Sequence, residues 1–309
     1  MTSSRHDSGS IALVTAGAVM ISFAAVFVRL ADVAPTTSGF YRMLFGSIGL
    51  LVLIGVQPRL HRGFASGWLG STLIAAFFTA DMWVWHRSIL FIGPGLSTLL
   101  ANFQVFVLAA IGVFWFRERV GFRFAAAIAL AAGGLWLLFG QEWSDLPPEY
   151  RAGVVLGLLT ALAYSGYILS LRGLQIRQPH TRVEARLAQV TLLTGLMLGA
   201  INLIEGHGFS IPDTKSLLAL IALGVVCQVL GWLAITRGMP GLPASLVGLL
   251  LLLQPTLSMI WDAAFFELRL EVLQLVGAFL ALAGIYLGMR ASARQPPGRT
   301  GKPSGASPK

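Results

Sequence analysis

"GLSTLLANFQVFVLAAIGVFWFRERVG" occupies residues 95–121, and from Leu96 to Phe116 it carries no charged side chain. A run of about 20 apolar residues, rising 1.5 Å per residue, crosses the roughly 30 Å hydrocarbon layer of a bilayer. This segment is therefore read as a membrane-spanning helix holding two amides, Asn102 and Gln104. A like segment, "GLPASLVGLLLLLQPTLSMIWDAAFFEL", follows at residues 241–268. At an offset of 150 it sets Gln254 on Gln104, and after one residue of slippage Glu267 answers Glu118.

The rest of the chain agrees with a membrane reading. Hydrophobic residues make up 56% and charged residues 11%, with a mean hydropathy of +0.76, whereas soluble domains carry about a quarter charged residues. Apolar runs of spanning length cover residues 11–27, 37–54, 68–89, 96–116 and 122–139, then 153–171, 187–204, 217–235, 242–265 and 272–289. The expected fold class is an all-α membrane protein of ten transmembrane helices. The first run exceeds the 7–15 residues of a signal-peptide core and is read as a retained helix.

Internal similarity reaches beyond the opening pair. "SFAAVFVRL" (22–30) matches "SGYILSLRG" (165–173) at an offset of 143, and Arg87 matches Arg237 at an offset of 150. The matched units lie five helices apart, an odd number, so the second copy threads the bilayer inverted. Two inverted five-helix repeats are an architecture of secondary transporters, whose substrate sites lie near mid-membrane where the halves meet.

Basic residues set the expected orientation. With the N-terminus inside, Arg5, Arg59, Arg62, Arg117, Arg119, Arg123, Arg172, Arg177, Arg182, Arg186, Arg237, Arg290, Arg294, Arg299, Lys302 and Lys309 gather on the cytoplasmic face. Only Arg29, Arg87, Arg151, Lys215 and Arg269 lie outside. The asymmetry places both termini in the cytoplasm. It also accounts for the net charge of +9 without a nucleic-acid partner, since no basic, aromatic-interleaved groove is present. The single cysteine, Cys227, excludes an internal disulfide, and the five histidines show no pair at zinc-helix spacing. No metal, cofactor or catalytic residue is expected.

In these features the chain resembles the EamA-like members of the drug/metabolite transporter superfamily over residues 10–290. The resemblance rests on the helix count, on Arg42 following "TTSGFY" (36–41), on the two quoted segments, and on Pro255 before Glu267. Phe106 stands near where the first copy would place that proline, leaving a kink in helix 4 open. The resemblance implies a cytoplasmic tail (1–10), a first five-helix repeat (11–140), a second (152–289) and a disordered basic tail (290–309). Helices 1–4 and 6–9 would line the pathway, with 5 and 10 peripheral. Residues 125–134, "AAAIALAAGG", with Gly277, Ala281, Gly284 and Gly288, suit close packing or a homodimer seam. The implied setting is a bacterial plasma (inner) membrane.

Candidate pathway residues are the polar groups buried in these helices. Arg42 and Asp81 lie at similar depth, and an acid at a helix centre costs about 2.5–3.5 kcal/mol on the insertion scale. Either the two pair and lock helices together, or they form a polar or coupling site. Asn102, Gln104 and Gln254 supply amides, Tyr164 sits on helix 6, and Gln228 and Trp232 share a face of helix 8. His86 and Asp262 are candidates for a gate or for coupling, while Glu118 reads as a salt-bridged turn. The leading function is a secondary transporter, an exporter, of small organic metabolites of amino-acid or drug-like type, working by alternating access. No GxxxxGK[ST] phosphate loop is present. The alternatives are an intramembrane enzyme, for which no nucleophile motif appears, and a noncatalytic membrane assembly or sensor protein.

Overall fold

The computed structural model describes residues 3–57, 59–60, 62–116, 121–140, 143–242 and 244–292, and every regular element among them is helical. The long helical segments are α1 (Ser8–Leu30), α2 (Pro35–Val56), α3 (Trp68–Ile92), α4 (Pro94–Trp115), α5 (Phe122–Gly140), α6 (Pro148–Arg177), α7 (Val183–Ile204), α8 (Thr214–Gly241), α9 (Leu249–Phe266) and α10 (Val272–Arg290). Nine of these, all but α3, are long and apolar enough to cross a membrane. At 25 residues α3 has the length, but Asp81, His86, Arg87 and its tryptophans dilute its hydropathy. The reason lies in its surroundings. α3 packs along α6 and also against α7, α2 and α4, and a helix need not be apolar on the faces that protein covers.

Local chemistry sets the helix ends. Pro35, Pro94 and Pro148 each open a helix, where a missing N–H costs nothing. Between α3 and α4 the chain turns on Gly93 at φ +87°, a conformation that suits glycine. A side chain there would also meet Asp262 Oδ2 at 2.5 Å. Two ends differ from the sequence reading. The helix that leads into the α1 span already begins at Ser3, inside the expected tail. α7 begins at Val183, so Arg186, counted above with the loop cations, belongs to the helix and is 3% exposed. Glu118 with its flanking arginines, and the tail beyond Ser292, lie outside the described residues.

Several helices are interrupted. α4 breaks at Asn102–Phe103 and α9 at Leu252, positions 150 residues apart. In α9 the break precedes Pro255, whose ring disrupts the preceding turn. In α4, which has no proline there, the Asn102 amide donates to the Thr98 carbonyl at 2.8 Å, and such side-chain capture bends a helix. α8 runs as a π-helix from Leu223 to Gly231.

Helix pairing is reciprocal. α3 packs on α6 and α1 on α8; α2 pairs with α7, α4 with α9 and α5 with α10. The α5–α10 seam is tight, because a Cβ on Gly134 would lie 2.5 Å from the Gly277 carbonyl and one on Gly284 would lie 2.6 Å from the Ala131 nitrogen. These small residues thus pack within the chain. The largest core cluster joins α1, α2, α3, α6, α7 and α8 around Met43, Phe78 and Leu198.

Candidate functional site

Inside that core, the close crossing of α2 and α8 brings Arg42 to Gln228. Side chains on Gly46 and Gly224 would strike Gln228 Cγ at 2.7 Å and Phe45 Cβ at 2.5 Å, so glycine at both positions lets the helices approach. The Arg42 Nε donates to Gln228 Oε1 at 3.1 Å, and Gln228 Nε2 donates to Thr191 Oγ1 at 3.3 Å. The guanidinium also lies 5.6 Å from the Trp85 ring centre, a cation–π arrangement. Its Nη1 is buried without a partner among the described residues.

Asp81 does not form an ion pair with Arg42. No described cation lies within 4.0 Å of its carboxylate, and it accepts no hydrogen bond among the described residues, although it is 3% exposed. Arg42 acts on it only through space. The same field reaches Tyr164 and Tyr167, which stack at 5.5 Å, with Phe78 against Tyr167 at 4.7 Å. His86 is fully buried, with no side-chain partner for its ring nitrogens among the described residues and only the Pro35 backbone near them, and Ser38 Oγ is unpartnered there too. Here an acid, a guanidinium and several polar atoms sit in a core without completing one another. Buried ions in that condition are costly, and such groups call for an explanation.

The ends of the bundle differ. At one, Glu205 accepts from Thr36 at 2.5 Å on α2, and from Trp83 at 2.7 Å and Arg87 at 2.6 Å on α3. Burial pushes the Glu205 carboxyl up, but the bonds from Thr36 and Trp83, with the charges of Arg87 and His207, outweigh it and hold the group below the usual glutamate range. Nearby, Asp262 accepts from the Gly95 amide at 2.8 Å and from Arg29 at 3.4 Å, tying α9 to α4 and α1. At the other end a groove of about 400 Å³, counting its open mouth, runs among α6, α7 and α8, with Tyr167 and Trp232 on its walls.

The candidates from sequence therefore divide. Arg42, Asp81, Tyr164 and Gln228 converge, with His86 beside them. Asp262 belongs to the tied end, and Trp232 to the groove. The Asn102 amide turns to its own helix, Gln104 Oε1 is buried unpartnered, and Gln254 makes no hydrogen bond among the described residues. Sequence reasoning passed over Glu205, Thr191 and the buried role of Arg186. An acid closing an otherwise apolar run at the same end as Arg87 was the available signal for Glu205.

The description of the EamA-like transporter family matches residues 8–140 and, again, residues 151–290. The chain belongs to the EamA-like transporter family. Among its relatives is an "Uncharacterized transporter" of Haemophilus influenzae, 24% identical over 80% of this chain and 83% of that protein. The "Uncharacterized inner membrane transporter YhbE" of Escherichia coli K12 is 24% identical over 81% of each. A "Probable amino-acid metabolite efflux pump" of Salmonella typhimurium is 28% identical over 63% of this chain and 67% of its own. A solved crystal structure with 16% identity aligns at a TM-score of 0.66 over 93% of this chain and 99% of that one, a shared fold. This EamA-like chain is a multi-pass membrane protein whose polar centre lies within the matched segments.

Proposed function

We propose that this protein is a secondary transporter that exports small zwitterionic metabolites of amino-acid type across a bacterial inner membrane. The observation that carries the reading is the incomplete charge pair: Arg42 keeps a buried donor, Asp81 lacks one, and they do not meet. A carboxylate on Arg42 and an ammonium on Asp81 would complete both, and Trp85, Tyr164 and Phe78 offer apolar surface for the remainder of such a molecule. The name of the Salmonella relative agrees with this class.

In this reading α3 crosses with the nine apolar helices, and the protein is two inverted five-helix repeats, 11–140 and 152–289, with both termini cytoplasmic. Support comes from the doubled family match, the reciprocal packing of α1 on α8 and α3 on α6, and the helix breaks 150 residues apart. The Glu205 end is then external and closed, and the groove faces the cytoplasm. Substrate enters from the groove, completes the pair, and leaves when the Glu205 tie opens. The test is transport of a panel of radiolabelled amino acids by the purified protein in liposomes. Asp81→Asn should abolish flux; undiminished flux by a folded Asp81→Asn protein, or no substrate across the panel, overturns the proposal.

A further inference from the structure

The groove carries a charge that no described residue balances. Arg186 lines it and is 97% enclosed, its residue exposure being 3%. The Nη1 donates to Ser71 Oγ at 2.7 Å, to Gln189 Oε1 at 2.8 Å and, at 3.4 Å, to the Gly67 carbonyl, and Nη2 donates to Gln178 Oε1 at 2.6 Å, all uncharged acceptors. Gln189 is in turn held by the Phe64 and Ser66 carbonyls, so the plane of the guanidinium is fixed. Its Nε makes no hydrogen bond among the described residues, and no described acid lies within 4.0 Å of the group. Glu184, two residues earlier on α7, is taken by Arg237 at 3.3 Å. The groove lining contains no Asp or Glu, and it includes Trp232, whose indole Nε1 is buried without a partner.

A fixed, enclosed, uncompensated guanidinium on an apolar wall is costly as it stands. A monoanion relieves it, and the planar fork matches a carboxylate. Leu171, Leu187 and Trp232 supply the apolar lining typical of small-molecule sites. We propose that the groove is a second binding site, distinct from the Arg42/Asp81 centre, for small amphipathic monocarboxylates. The carboxylate sits on Arg186 and the apolar body lies against Leu171 and Trp232. The chemistry of this site stands alone; its use as a first station on the way to Arg42 rests on the transport reading.

The test is calorimetric titration of the full-length protein, in phosphatidylcholine nanodiscs, with phenylacetate and with phenylacetamide, its uncharged counterpart. The Arg42→Gln variant removes the central site. Phenylacetate should bind Arg42→Gln at one site per chain, the amide should bind at least tenfold more weakly, and adding Arg186→Gln should weaken phenylacetate at least tenfold. Gln175→Glu, at an exposed rim position, leaves Arg186 in place and should weaken it severalfold by offering a competing carboxylate, so the result does not hang on the folding of Arg186→Gln. Phenylacetate bound equally with and without the Gln175→Glu and Arg186→Gln changes, equal binding of the amide, or binding lost with Arg42→Gln alone would each overturn the site. Displacement by phosphatidylglycerol at constant salt, with no displacement by inorganic phosphate, would assign the groove to a lipid headgroup and also overturn it. Amino-acid flux in liposomes reports on the transport reading separately: flux without groove binding rejects only this site, and groove binding without flux rejects only the transport proposal.

Discussion

At the scale of single residues, the centre of this protein is defined by what its side chains lack. Arg42 is held by Gln228 and Trp85, yet one of its nitrogens has no partner; Asp81, equally enclosed, accepts nothing. An ionised group buried without hydrogen bonds works against the fold. Asp81→Asn should therefore leave the protein as stable as the parent or more so, by about 1–3 kcal/mol, while transport falls at least tenfold. Thermal unfolding in detergent, alongside liposome flux, checks both halves. A drop in both would mean that Asp81 is a structural anchor instead. The residue types were legible in the sequence, since charges inside apolar runs stand out. Whether Arg42 and Asp81 paired was not legible, because similar depth on two helices leaves the facing directions open.

At the scale of elements, small residues and helix breaks decide which faces meet. The α5–α10 seam depends on glycines whose added methyl would strike backbone rather than a movable side chain. Gly284→Ala should cost about 1–3 kcal/mol through overpacking, read as a lower unfolding temperature. Gly133→Ala is the matched control, since a Cβ there meets nothing within 4 Å, and it should be neutral or slightly stabilising through helix propensity. Equal effects from the two would show that the seam is not closely packed. The sequence marked this stripe of small residues but could not say whether it faced the same chain or another copy. The π-helical stretch of α8 is the element least visible beforehand. It shifts the angular register that 3.6-residue periodicity assumes; Gln228 within it reaches Arg42, while Trp232, one turn on, lies in the groove.

At the scale of the whole molecule, the two ends of the bundle are unlike. One is tied by Glu205 to α2 and α3, and by Asp262 to α4 and α1; the other has the groove. Because the Glu205 carboxyl is held below its usual range, its stabilising contribution is complete above the ordinary glutamate value and is lost as pH falls through the depressed one. The tied end should accordingly loosen in acid, seen as a change in tryptophan fluorescence that Glu205→Gln no longer shows. At neutral pH, Glu205→Gln should weaken the tie by about 1–3 kcal/mol and raise the labelling rate of a thiol at Ser38→Cys, in a Cys227→Ala background, severalfold. Unchanged labelling would remove Glu205 from the gate. For the proposed orientation, a reporter that is active only in the cytoplasm should be active when fused after Lys309; inactivity there would reverse the assignment of inside and outside.

The sequence by itself determined that this is a helical membrane protein of a transporter family, and it singled out Arg42 and Asp81. Hydrophobic length and internal similarity run along the chain and need no partner to be read. Only the tertiary structure decided that those two side chains stand apart, that Glu205 ties α2 and α3 at one end, and that Arg186 is enclosed rather than exposed. Each of these depends on which helix faces meet, a choice made by glycine crossings, helix breaks and the π-helical turn between residues far apart in the chain.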